Sequence, residues 1–181
     1  MIDKPIKICF VCHGNICRSP MAEFVMKDLL AKAGCTQVVV ESAAMHTDEI
    51  GSDVHWGTRA KLRAEGIPFA SRAAWLLTAE KARDYDLLIG MDAYNVADLR
   101  RLVYPEDREK IHYLLDFAGL NRDVDDPWYT GDFDATYHDV VKGCTALLQH
   151  LLGVGRTRQT ANVLHKSLQA AAGNDIIGES F

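Results

Sequence analysis

Near the amino end, the stretch Cys12-His13-Gly14-Asn15-Ile16-Cys17-Arg18-Ser19 separates a cysteine from an arginine by five residues. A backbone of that length can wrap one tetrahedral oxyanion. Its N–H groups and the start of a following helix point inward and favour negative charge, while the Arg18 guanidinium can hold two oxygens in a planar fork. Such a loop binds phosphate. The same positive field favours the anionic form of the Cys12 thiol, which is the nucleophilic form. Gly14 is expected to supply backbone freedom for close approach to the anion, and Asn15 to adopt a left-handed conformation while its amide braces the loop. Ser19 can donate to the sulfur, cap the helix, or do both. Cys9 reads as a small buried hydrophobe. Cys17 reads either as core or as a resolving thiol that shields Cys12 from over-oxidation through a reversible disulfide.

To position this loop, a strand must precede it and a helix must follow. Ile6 to Val11 is an apolar run suited to a parallel strand buried on both faces, and it ends at Cys12. Pro20 is tolerated in a first helical turn, and Met21 to Ala33 has helical spacing that closes at Gly34. Further on, the pattern predicts a strand over 37–42, a helix over 56–65 ended by Gly66 and Pro68, and a strand within 74–78. A short helix from Thr78, a strand over 86–91, a helix over 92–102 stopped by Pro105, and a last strand over 110–115 follow. A polar, aspartate-rich loop over 116–132 leads into an amphipathic helix over 134–152, with Tyr137, Val140, Val141, Cys144, Leu147, Leu148 and Leu151 on one side. Strands alternating with helices imply α/β architecture and a parallel sheet. Gly153-Val154-Gly155 breaks the last helix, so the domain is expected over 1–154, with 155–181 a C-terminal appendage that is helical over 157–172.

The 181 residues suffice for one domain with an appendage but not for two full domains. A formal charge of −5 lacks the basic footprint of a nucleic-acid binder. No apolar run reaches the ~18 residues of a bilayer span, and Met1 to Val11 lacks the basic start and cleavage site of a signal peptide. Neither nucleic acid nor membrane is therefore expected as a partner. An odd count of five cysteines suits a reducing compartment, and the chain reads as cytoplasmic. Only Cys9, Cys12 and Cys17 cluster, which matches no zinc spacing. The oligomeric state stays open.

The loop CHGNICRSPMAE, Met91-Asp92 after an apolar strand, and Asp126-Pro127-Trp128-Tyr129 before the last long helix together resemble the low-molecular-weight protein tyrosine phosphatase family. The resemblance covers about Ile6 to Leu152. It implies a single α/β domain with a central four-stranded parallel sheet flanked by helices, the phosphate-binding loop lying between first strand and first helix. It also implies a phosphatase with no metal or cofactor, acting on tyrosine-phosphorylated proteins through a phosphocysteine. On this resemblance Cys12 is the nucleophile, Arg18 the phosphate clamp and Asp126 the general acid. His13, Gly14, Asn15, Ile16, Cys17 and Ser19 bind or brace the phosphate, Trp128 and Tyr129 form an aromatic wall beside the entrance, and Ser42 and Asp92 support the loop.

The residues argue for Asp126 independently, because hydrolysis of an aryl phosphate needs a proton delivered to the departing oxygen. Neighbouring carboxylates such as Asp125 and partial burial by Trp128 are expected to keep that proton available. Asp123, Asp125 and Asp132 read as surface charges. Two positions depart from the family pattern. Where many members carry threonine-x-x-tryptophan, this chain has Ala44-Met45-His46-Thr47-Asp48-Glu49-Ile50-Gly51, which leaves substrate preference open. A histidine after the Gly-Ile turn is replaced by Ser71, so one brace of the loop is missing or rebuilt. His46 and His55 read as plain polar positions.

Rival activities on a similar scaffold are separable by residue. Resemblance associates protein-arginine phosphatases with threonine where this loop has Ile16, whose bulk suits an aryl ester. Arsenate reductases need two further mid-chain cysteines, and none lies between Cys35 and Cys144. A non-catalytic phosphate-binding module would not need Cys12 and Asp126 together.

Overall fold

Side chains alternate along strand β1 (Ile6–Cys12), sending Ile8 and Phe10 to one side of the sheet and Cys9 and Val11 to the other, and all four are fully buried. A strand covered on both faces requires helices on both. The computed structural model, which describes residues 5–153, supplies them. The appendage expected over 155–181 lies outside the described residues.

Strands β2 (Val38–Ala44), β3 (Leu87–Gly90) and β4 (Ile111–Tyr113) join β1 in a wholly parallel sheet of order β2-β1-β3-β4. Helix α1 (Arg18–Lys32) packs against the long α6 (Phe133–Leu151) on the face of Ile8 and Phe10. Met21, Met26 and Leu30 of α1, Leu62 of α2 (Trp56–Ala64), and Val140, Cys144 and Leu147 of α6 share that core. On the opposite face, Ala82 of α3 (Ala79–Ala82) and Val96 and Leu99 of α4 (Ala93–Leu102) close over Cys9, Val11 and Leu88. Gly143 lets α6 lie close to the strand-end residue Leu114: a Cβ there would fall 2.4 Å from Leu114 Cγ.

Three expectations about local structure are corrected. The segment expected as a strand over 74–78 makes only an isolated bridge, Leu76 with Ala44, because Ala74 exchanges backbone hydrogen bonds with Gly51 and Ser52 instead of extending the sheet. The loop over 116–132 is not continuous coil: a 3-10 turn spans Leu115–Ala118, and a short helix α5 (Pro127–Thr130) is capped by Asp126, with Pro127 at its first position. Ser19 is not the cap of α1, since Arg18 already opens that helix and Cys17 is the cap residue.

Because β1 sits between β2 and β3, the chain leaves the carboxyl ends of β1 and β3 at a topological switch point, the crevice in which open α/β sheets bind ligands. Cys12 ends β1, and Asp92 follows β3. The fold therefore brings together two residues 80 positions apart, at the place where a ligand has room.

Candidate active site

Between Cys12 and the start of α1 the backbone turns through Asn15, the single described non-glycine residue with positive φ, at 59°. The expected left-handed turn is thus at Asn15, and Gly14 does not use glycine's conformational freedom. What Gly14 contributes is space, because a Cβ there would meet Glu49 Cγ at 3.0 Å.

Asn15 is fully buried and hydrogen-bonded on every side. Its Nδ2 donates to Ser19 Oγ at 2.8 Å and to Ser42 Oγ at 3.0 Å, and Ser42 Oγ donates in turn to the buried Glu23 carboxylate at 2.5 Å. Arg72 completes the brace: Nη2 donates to Asn15 Oδ1 at 2.5 Å and to Ser42 O at 3.1 Å, and Nη1 to Asn15 O at 3.3 Å. A left-handed non-glycine residue persists where its surroundings over-determine it, and these bonds do so here. The brace that Ser71 lacks is rebuilt one residue later by a guanidinium fork.

Cys12 Sγ lies 3.0 Å from Ser19 Oγ and accepts the Ser19 N–H at 3.4 Å. Ser19 therefore serves the sulfur. Arg18, only 2% exposed, donates through Nη1 to Asp92 Oδ2 at 2.6 Å and Val124 O at 3.1 Å, and through Nη2 to Asp126 Oδ2 at 2.8 Å. Burial works against its charge, but Cys12, Asp126 and Asp92 outweigh that and hold the guanidinium above its ordinary value. The other Asp92 oxygen accepts the Asn95 N–H at 2.7 Å, so one carboxylate both aims Arg18 and caps α4.

The Asp126 side chain is partly buried, at 22% exposed, although Trp128 itself is 59% exposed. One carboxylate oxygen pairs with Arg18 and the other accepts the Trp128 N–H at 3.1 Å, so orientation comes from an ion pair and a helix cap. Asp123 and Asp132 are exposed as expected, but each also accepts a backbone N–H, from Ala93 and Ala135 respectively. Cys17 packs with Ile16, Ala74 and Phe133, and burial pushes its thiol up to about 12. A neutral thiol is a slow partner in disulfide exchange, which weighs against the protective role and towards core.

A cleft of ≈ 670 Å³ opens over the loop, lined by Cys12, His13, Gly14, Ile16, Cys17 and Arg18 together with Asp92, Asp126, Trp128 and Tyr129. Asn15, Ser19 and Ser42 are buried and stand outside that lining, as its support. Sequence reasoning missed Arg72, Glu23, Tyr94 and His46. Tyr94, 82% exposed, adds a third aromatic ring to the lining. His46 also lines the cleft, stacked on His13 with ring centroids 4.3 Å apart. His55 is structural: it accepts the Gly57 N–H at 3.1 Å as the cap of α2 and stacks on Phe133.

The sequence model of the family described as low molecular weight phosphotyrosine protein phosphatase matches residues 7–157. The low molecular weight protein-tyrosine-phosphatase YfkJ of Bacillus subtilis is 40% identical over 146 residues, 79% of this chain and 94% of that protein. PtpA of Staphylococcus aureus, which bears the same description, is 32% identical over 148 residues, 81% of this chain and 94% of its own. The crystal structure of YfkJ superimposes with a TM-score of 0.81 at 36% identity, covering 86% of this chain and all of that one. Loop, fold and likeness agree: the chain belongs to the low molecular weight phosphotyrosine protein phosphatase family.

Proposed function

We propose that this phosphatase removes phosphate from phosphotyrosine on proteins, and from small aryl phosphates, with Cys12 as nucleophile, Arg18 as clamp and Asp126 as general acid. The observation that carries the reading is convergence: all three side chains line one cleft, and Arg18 touches Asp126 at 2.8 Å.

In this mechanism a phosphate monoester dianion enters the loop and Cys12 Sγ attacks phosphorus in line. Backbone N–H groups and the Arg18 fork stabilise the equatorial oxygens as the phosphorus–oxygen ester bond breaks. Asp126 gives its proton to the departing phenolic oxygen, leaving a phosphocysteine and a carboxylate. That carboxylate then takes a proton from water, which attacks phosphorus. The sulfur leaves as thiolate, received by the Ser19 hydroxyl and N–H. Inorganic phosphate departs. Trp128 and Tyr129 offer exposed ring faces to an aryl leaving group, and the bulk of Ile16 in the loop favours it over a phosphoguanidine.

Turnover of matched phosphotyrosine, phosphoarginine and phosphoserine peptides tests the substrate class. Phosphotyrosine is expected to be hydrolysed fastest, and a preference for phosphoarginine would replace this reading. The proton donor has its own signature. Asp126→Asn is expected to lower kcat ~10²–10⁴-fold on esters with poor leaving groups and far less on activated ones. Equal losses on both would remove Asp126 from that role.

A further inference from the structure

We propose that His13, His46 and Asp48 form a binding site for a zinc-class divalent cation at the mouth of the cleft, and that its occupation blocks entry of the aryl phosphate. One nitrogen of each imidazole and one carboxylate oxygen of Asp48 lie within 4.8 Å of one another. The Asp48 oxygen is already 2.8 Å from His13 Nε2. A tetrahedral zinc ion with bonds of ~2.0–2.2 Å holds its ligand atoms ~3.3–3.6 Å apart, so modest rotations bring these three into range. All three side chains are exposed and can make those rotations without repacking the core.

The two loops that carry the ligands are tied together by backbone. Met45 N donates to Cys12 O at 3.0 Å, and His46 N donates to His13 O at 3.0 Å. His46 Nε2 lies 2.7 Å from Asp98 Oδ2, the kind of outer carboxylate that orients a metal-bound histidine and leaves its second nitrogen as a lone-pair donor. Two imidazoles with one carboxylate suit zinc far better than magnesium or calcium, and three protein ligands leave a coordination position open. Because the same residues line the cleft above Cys12, the ion and its remaining shell stand where substrate must pass. Binding of the ion stands on this geometry alone. Its effect on turnover rests on the catalytic reading proposed above.

The test titrates zinc ion against a chromophoric chelator in the intact chain and in Cys12→Ser, His46→Ala and Asp48→Asn, alongside zinc inhibition of aryl phosphate turnover. One zinc per chain is expected in the wild type and, with similar affinity, in Cys12→Ser. His46→Ala and Asp48→Asn should each weaken binding about tenfold or more, in line with loss of a metal ligand's contribution, and raise the inhibitory zinc concentration in step. Failure to bind zinc, affinity that survives either rim variant, loss of binding in Cys12→Ser, or a zinc-loaded enzyme with undiminished turnover would each overturn the proposal. Zinc bound at the rim of a chain that hydrolyses no aryl phosphate would refute the catalytic reading and leave the cation site standing.

Discussion

Cys12→Ser is expected to abolish turnover of an aryl phosphate, with a loss on the order of 10⁶-fold, comparable to removing the nucleophile from other covalent hydrolases. A serine hydroxyl is a weak nucleophile at neutral pH unless a base takes its proton. Among the described residues, the groups hydrogen-bonded to the sulfur are the hydroxyl and N–H of Ser19, and neither is a base. The oxyanion cradle is expected to survive, because Arg18 and the loop backbone are unchanged. Inhibition of the wild type by vanadate and direct binding of vanadate to the variant should therefore report similar affinity. A variant that keeps more than a few per cent of wild-type kcat would contradict covalent catalysis at this residue.

Arg18→Lys is expected to cost about 10³-fold or more in kcat, the scale on which a phosphoryl-clamping arginine contributes, although the charge is kept. The native fork spends Nη1 on Asp92 and Val124 and Nη2 on Asp126, so its plane is fixed before any phosphate arrives. An ammonium is a point charge on a flexible stem and cannot span those three acceptors or pair two phosphate oxygens in one plane. The loss should extend to activated esters, because the clamp acts on the phosphoryl group and not on the leaving group. Asp126→Asn should spare those esters, so the two variants are separable on one substrate series. Near-normal kinetics in Arg18→Lys would remove the clamp.

The loop was readable because its chemistry and its structural grammar coincide. An apolar strand, five intervening residues, an arginine and a helix start leave few alternatives for Cys12 and Arg18. Support from distant chain segments was less legible. Asp92 and Asp126 entered through resemblance, whereas their shared grip on Arg18 depends on the caps of α4 and α5 converging on one guanidinium. Arg72 is not legible in sequence, because nothing local in Ser71-Arg72-Ala73 marks a guanidinium that reaches 57 residues back to Asn15. His46 is illegible for a similar reason: a lone loop histidine has no periodicity to announce a partner, and its stacking on His13 exists only because β1 and β2 end side by side at Cys12 and Ala44. Ser19 was ambiguous between cap and sulfur ligand until α1 was seen to begin at Arg18.

Phosphoryl transfer through Cys12 requires a covalent phosphorus–sulfur bond during turnover. Rapid acid quench of the enzyme during turnover of an aryl phosphate, followed by peptide mass spectrometry, should find one phosphoryl group on the peptide bearing Cys12 and none in Cys12→Ser. Phenol release with no adduct in the burst phase, or an adduct on any other residue, would contradict it.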